Sequence, residues 1–331
     1  MNIVITGGAG YIGSVTTSHL LAAGHDVTVY DKLVYGGESL LAFRHHPRFQ
    51  LTAGDVRDRS ALRTAFSGAD VVIHLAAIVG EPACDLAPDD AESINYGGVQ
   101  IALETAAEAG VGRFLLVSTC SNYGTSSPEV LVDEAAPLRP VGLYAETKVR
   151  AEQLALAGVP GLPISVLRFG TICGLSPRMR FDLLISEMGR SVALGESIDI
   201  YTPEAWRPFL HIADAARALE HFTEAPLEAI DGRVFNVVGE NRQKLELVEI
   251  VRRHVPEASI RIVERAPDLR DYRVDGSRVQ RELEFHTRST VDDAFVETLE
   301  AVGDRLFRNP SWNGHSAIPE GREAWAVARK R

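Results

Sequence analysis

The chain has 331 residues, 45% hydrophobic and 24% charged, and suits one large α/β domain with an appended lobe, or two domains. A formal net charge of −11 argues against nucleic acid or an anionic membrane as partner, and no apolar stretch approaches the roughly 20 residues of a membrane span. A strand starting at Asn2 leaves no room for a signal peptide, and Cys84, Cys120 and Cys173 are too scattered for a disulfide scaffold, so a reducing cytoplasm is expected.

The first predicted element is a strand over Asn2–Thr6, followed by Gly7-Gly8-Ala9-Gly10-Tyr11-Ile12-Gly13 and a helix over Tyr11–Ala23. Glycines between strand and helix permit a sharp turn and let backbone N–H groups approach a pyrophosphate, which the helix N-terminus also favours. A second strand, Asp26–Tyr30, ends in Asp31, about twenty residues past the glycines, where an acid would accept the ribose hydroxyls of a bound dinucleotide. A carboxylate there repels a 2′-phosphate, so NAD is expected over NADP.

Predicted strands follow at Phe49–Thr52, Val71–Leu75, Phe114–Ser118 and Ile164–Arg168, alternating with helices at Arg59–Phe66, Ala91–Ala109 and Leu143–Leu156. This alternation indicates a parallel, doubly wound sheet, and the wholly apolar runs Val71-Val72-Ile73 and Phe114-Leu115-Leu116-Val117 suit strands buried on both faces. Beyond Gly170 the pattern loosens around Pro177, Pro203, Pro208 and Pro226. A helix over Ile212–Phe222 and a strand over Val234–Val238 are expected to return to the first domain. The expected organisation is a dinucleotide-binding domain over 1–170 plus about 205–240, a smaller lobe over 171–204 and 241–308, and a tail over 309–331.

Tyr144 and Lys148, four apart on a predicted helix, share one face. A lysine ammonium beside a phenol favours the phenolate, and the same lysine can hold a ribose. Thr119, just past the fifth strand, sits where ligands bind in open α/β sheets and can fix a substrate oxygen.

With these residues in place, the chain resembles the extended short-chain dehydrogenases/reductases of the nucleotide-sugar epimerase/dehydratase branch, over roughly residues 1 to 300. The family's Gly-x-x-Gly-x-x-Gly matches Gly7, Gly10 and Gly13, and its acid after the second strand matches Asp31. Its adenine segment matches Gly54-Asp55-Val56-Arg57-Asp58, its fourth strand end matches His74-Leu75-Ala76-Ala77, and its helix asparagine matches Asn95. Thr119, ahead of Tyr123-Gly124, completes a catalytic set with Tyr144 and Lys148. The Arg-x-Phe/Tyr-x-His segment matches Arg207–His211, and the Arg-x-x-Asp…Tyr-x-x-Asp segment matches Arg265, Asp268, Tyr272 and Asp275.

The resemblance implies a Rossmann-type sheet with a C-terminal substrate lobe. It implies NAD held by Gly7, Gly10, Tyr11, Ile12, Gly13, Asp31, Lys32, Asp55, Val56, Leu75, Ala76, Ala77, Asn95, Tyr144 and Lys148. It implies a nucleoside-diphosphate sugar against Thr119, Cys120, Tyr144, Thr171, Arg178, Arg180 and Tyr272, with its diphosphate gripped by Arg207 and Arg265, and a homodimer formed through the Leu143–Leu156 helix and the helix before it. No metal is expected.

Two departures narrow the reaction. The family's 4,6-dehydratases place Asp-Glu after the catalytic threonine, where this chain has Cys120-Ser121, so dehydration is discounted. Thr171 stands where many relatives have asparagine, and Arg178 and Arg180 follow in a stretch suited to a diphosphate or a carboxylate-bearing sugar. Cys120 is an acid/base candidate, although relatives using a cysteine hold it one residue later. The expected activity is epimerisation through transient C4 oxidation. The alternatives are a 4-keto-sugar reductase, a decarboxylase of a nucleotide uronic acid and a non-catalytic NAD(P) sensor.

Overall fold

A computed structural model describes residues 1–127, 129–263 and 270–310. Arg265, Asp268 and the tail from 311 lie outside the described residues. Strand β1 (Asn2–Thr6) lies inside a seven-stranded sheet whose paired strands are all parallel. On one side of it run β2 (Asp26–Asp31) and β3 (Phe49–Ala53). On the other run β4 (Val71–His74), β5 (Arg113–Thr119), the Ile164–Phe169 strand and the Arg233–Val237 strand. The chain therefore winds outward from β1 and then returns to β4 on its other side. The crevice at that reversal, beyond the carboxyl ends of β1 and β4, is where such sheets bind ligands.

Alternation along each strand sorts the core into two layers. Ile3 and Ile5 of β1, with Val27 and Val29 of β2, pack beneath helix α1 (Tyr11–Ala22) and the Ile212–Glu224 helix. Val4, Val72, Phe114 and Leu116 face the opposite layer, which holds the Arg59–Phe66, Val99–Glu108 and Leu143–Leu156 helices. The strands match the predicted ones to within a residue or so. The expected continuous helix over Ala91–Ala109 is instead broken by a π-helical turn, Ser93–Gly98, between helices Pro88–Glu92 and Val99–Glu108. Asn95 occupies that widened turn and spends its amide on the backbone of Ile78, accepting from its N–H at 2.8 Å and donating to its carbonyl at 2.9 Å.

A second, three-stranded sheet is formed by Glu240–Gln243, Trp206–His211 and Thr171–Cys173, so the Trp206–His211 strand, which falls in the segment expected to return to the first domain, instead pairs with strands at the borders of the expected lobe. Helices Leu184–Ala193, Lys244–His254 and Val291–Gly303 cover it through Met188, Phe209, Leu247, Val251 and Phe295. No helix among the described residues is long and apolar enough to cross a membrane.

A buried ion pair, Glu152 with Arg168, joins the Leu143–Leu156 helix to the Ile164–Phe169 strand, the side chains only 1% and 4% exposed. Ser118 and Asn122 also donate to Glu152, and Arg168 donates to the Tyr123 hydroxyl at 2.7 Å. Removing one partner strands the other charge in the core. Arg168→Met is expected to cost about 3–5 kcal/mol by urea unfolding, and adding Glu152→Leu should recover part of that loss.

Candidate functional site

The glycine turn forms one wall of the crevice. Gly7 has φ +76°, and a Cβ there would lie 2.7 Å from the Ala76 nitrogen, so only glycine lets this turn meet the loop after β4. A Cβ on Gly13 would lie 2.4 Å from the Gly7 carbonyl oxygen. Helix α1 starts at Gly10 with no side-chain cap, which leaves its first N–H groups for a ligand. Tyr11 and Ile12 line the same wall. This uncapped, glycine-rich cradle fits a dinucleotide pyrophosphate.

Asp31, at the end of β2, accepts the Ala9 N–H at 2.9 Å and the Leu33 N–H at 2.7 Å. Burial pushes its carboxyl up, while those N–H groups and the nearby Arg178 charge pull the other way. Lys32 pairs with Asp55 at 3.0 Å, and Arg57 bridges Asp55 to Asp90. Burial alone would raise the Asp55 carboxyl, but Arg57 and Lys32 hold it below the usual range. Val56, Leu75, Ala76 and Ala77 complete this part of the lining. Asn95 does not join it: the residue is buried behind the β4 loop, which it pins through Ile78. His74 is likewise structural, its ring 3.0 Å from the Thr6 hydroxyl, and burial pushes its pKa down to about 3.

Thr119, Tyr144 and Lys148 line the crevice together. The Thr119 hydroxyl accepts the Ser121 N–H at 3.1 Å and is near enough to the Tyr144 phenol to favour its ionised form, and Lys148 Nζ donates to the Val117 carbonyl at 2.7 Å. The expected lowering of Tyr144 by Lys148 is not what this geometry produces. Burial drives the phenol well above its ordinary value, and Arg180 supplies the main opposing charge. Burial also lowers Lys148 to about 8, with Glu152 partly opposing.

Sequence reasoning missed Glu81. Its two carboxylate oxygens accept the Tyr144 N–H at 3.0 Å and the Ala145 N–H at 3.3 Å, capping a helix whose own N-cap, Gly142, has no side chain. Gly142 has φ +90°, and a Cβ on it would lie 2.3 Å from Glu81 Oε2. The only sequence signal was a helix beginning on glycine without a capping residue, and nothing in it named the partner.

The substrate-side expectations divide. Thr171, Arg178 and Arg180 do line the crevice. Arg180 pairs with Asp182 and faces Tyr144 electrostatically. Arg178 lies toward the Asp31 end, its guanidinium carbon 4.1 Å from the Tyr35 ring centroid. Cys120 is a correction: it is buried, its thiol points at the Arg168 carbonyl 3.4 Å away, and burial holds the thiol protonated. It opens the 3-10 turn Cys120–Tyr123 that follows β5 and packs in a cluster with Tyr123, Val132 and Tyr272. Tyr272 packs in the same cluster as Cys120 and is pushed up by burial to about 12. Arg207 donates to the carbonyls of Trp206 and Arg270, behind the lining rather than in it. Arg270 and Ser121, which no motif indicated, do reach the crevice.

Among the described residues, His25, Glu220 and Glu224 bring possible metal-ligand atoms within 4.8 Å, but His19 already engages Glu220 at 2.6 Å. The three cysteines are free and buried.

Comparison with known proteins places the chain in a family. The model of the NAD dependent epimerase/dehydratase family matches residues 3–239. A dTDP-glucose 4,6-dehydratase from Streptomyces niveus is 31% identical, the match covering 94% of each chain. A UDP-glucose 4-epimerase from Streptomyces lividans is 31% identical over 65% of this chain and 69% of its own. Among solved structures, the dTDP-glucose 4,6-dehydratase DesIV from Streptomyces venezuelae, determined with NAD bound, superposes with TM-score 0.83 at 26% identity. That match covers 95% of this chain and all of the other.

Two outcomes are expected. Glu81→Ala should cost about 1–2 kcal/mol by urea unfolding, since it strips a helix of its anionic cap. Because folding lowers Lys148 from 10.5 to about 8, the unfolded chain binds more protons between those values. The contribution of Lys148 to stability should therefore rise with pH across that window, and Lys148→Met should remove the rise in urea titrations taken from pH 8 to 10.

Proposed function

Because the chain belongs to the NAD dependent epimerase/dehydratase family, with NAD as cofactor, we propose that it epimerises a nucleoside-diphosphate sugar at C4 through a transient 4-keto sugar. The observation that carries this reading is the convergence of Thr119, Tyr144 and Lys148 on the lining of one crevice, Lys148 one helical turn beyond Tyr144. When bound, NAD supplies the hydride acceptor and donor. The candidate residues to hold it are the Gly7–Gly13 cradle, Asp31, Lys32, Val56 and Leu75–Ala77, which all line the crevice.

In this reading Tyr144 takes the proton of the C4 hydroxyl and later returns it. Thr119 holds the oxygen as it becomes a carbonyl, and Lys148 holds the nicotinamide ribose. The Tyr144 phenol is pushed up by burial, so it needs nearby positive charge to release its proton, and Arg180 already lies on that side. Dehydration would need a further acid and base near C5 and C6. At the two positions after Thr119 this chain offers a buried thiol and the Ser121 hydroxyl, which supports epimerisation even beside dehydratase relatives.

A second reading has one specific support. Arg180 stands in the crevice near Tyr144, where a carboxylate-bearing sugar would meet it, as in a nucleotide uronic acid. Arg178 gives that reading less support, since it lies toward Asp31.

The test is incubation with UDP-, dTDP-, GDP- and CDP-sugars, uronic acids included, followed by NMR of the anomeric protons. A C4 epimer is expected without added reductant. Tyr144→Phe should lower turnover roughly 10²–10⁴-fold while leaving NAD binding intact. A 4-keto-6-deoxy product would overturn epimerisation in favour of dehydration.

A further inference from the structure

Arg178 lines the crevice toward Asp31, and that position has a use of its own. It comes from the lobe, on a segment anchored on both sides. Upstream, the Gly174 carbonyl accepts the Tyr11 hydroxyl at 2.6 Å. Ser176 donates to the Tyr11 carbonyl at 2.8 Å and lies 3.1 Å from the Ser14 hydroxyl. Downstream, Met179 and Phe181 are buried in the main core. The backbone of this segment is thus fixed against α1, the helix that carries the pyrophosphate cradle.

Between those anchors the Arg178 side chain crosses to the loop after β2. Its guanidinium stacks on Tyr35, donates to the Met179 carbonyl at 3.1 Å, and interacts electrostatically with Asp31. Arg178 is 8% exposed, and a desolvated cation held on an aromatic face is stronger than an exposed one. Both residues also line the crevice. The contact therefore ties the Gly174–Phe181 segment to the loop after β2 within the lining of the dinucleotide site, beside Asp31.

We propose that Arg178 and Tyr35 form a latch over the adenosine half of the dinucleotide site, which slows NAD release. The adenosine cannot leave past Asp31 without separating the guanidinium from the ring. The inference rests on the NAD reading of the crevice and adds the residues that govern how long the cofactor stays.

The test loads purified protein with NAD, removes free nucleotide by gel filtration, and follows nucleotide left on the protein during dilution. Arg178→Ala and Tyr35→Leu are each expected to release NAD about 10-fold faster than the parent. The double variant should be no faster than the single ones, because both remove the same contact. Arg178→Lys keeps the charge but loses the planar stack, and should release faster than the parent as well. It and Tyr35→Leu keep the latch testable if Arg178→Ala does not fold. Parental release rates in these folded variants would overturn the latch. Release by the parent within seconds would instead count against a cofactor retained through catalysis, and the ratio of rates between variants would still report on the latch.

Discussion

The buried pair of Glu152 and Arg168 is the constraint on which the Thr119–Tyr144–Lys148 end of the crevice depends. Glu152 stands one turn beyond Lys148 on the helix that also carries Tyr144. Arg168 belongs to the strand that pairs with β5, where Thr119 pairs with Phe169. Through Ser118 and Asn122 the same carboxylate also grips the end of β5. One charge pair therefore fixes a helix, two strands and a turn relative to one another. Those are the elements that present the hydroxyl, the phenol and the ammonium. The pair also matters electrostatically, because Glu152 helps keep a charge on a desolvated Lys148.

A second constraint works at the other end. The cradle requires the β1 turn to touch the loop after β4, and Gly7 permits that contact. The β4 loop is in turn pinned by Asn95 from the π-helical turn, and its continuation delivers Glu81 to the helix of Tyr144. Cofactor cradle and reactive helix are thus braced by one loop, so a disturbance at Ile78 would reach both.

What could be read in the sequence was whatever is local along the chain. The glycine turn, Asp31 and the Tyr144–Lys148 spacing each lie within one strand–turn–helix unit or one helix, where periodicity and turn chemistry decide the outcome. The strands of the large sheet were legible because burial on both faces makes them apolar throughout. Glu81, Tyr35 and Arg270 were not legible, since each matters through a partner distant in sequence; Glu81 caps a helix 63 residues away. Cys120 and Arg207 matched by motif, yet neither side chain lines the crevice. Thr119 and Ser121 on either side of Cys120 do, while its own thiol turns to the Arg168 carbonyl, and the Arg207 guanidinium turns to the Trp206 and Arg270 carbonyls. The helix around Asn95 was right in kind and wrong in continuity, because a buried side-chain amide widened one turn.

The three cysteines have a practical consequence. All are buried, and burial pushes each thiol above its ordinary value, Cys84 to about 12. The thiolate that maleimides and iodoacetamides attack is therefore scarce on the folded protein. A single cysteine introduced on the surface would carry a spin or fluorescent label without removal of the native ones. Paired labels on the lobe and the large sheet would report the distance between them directly in solution.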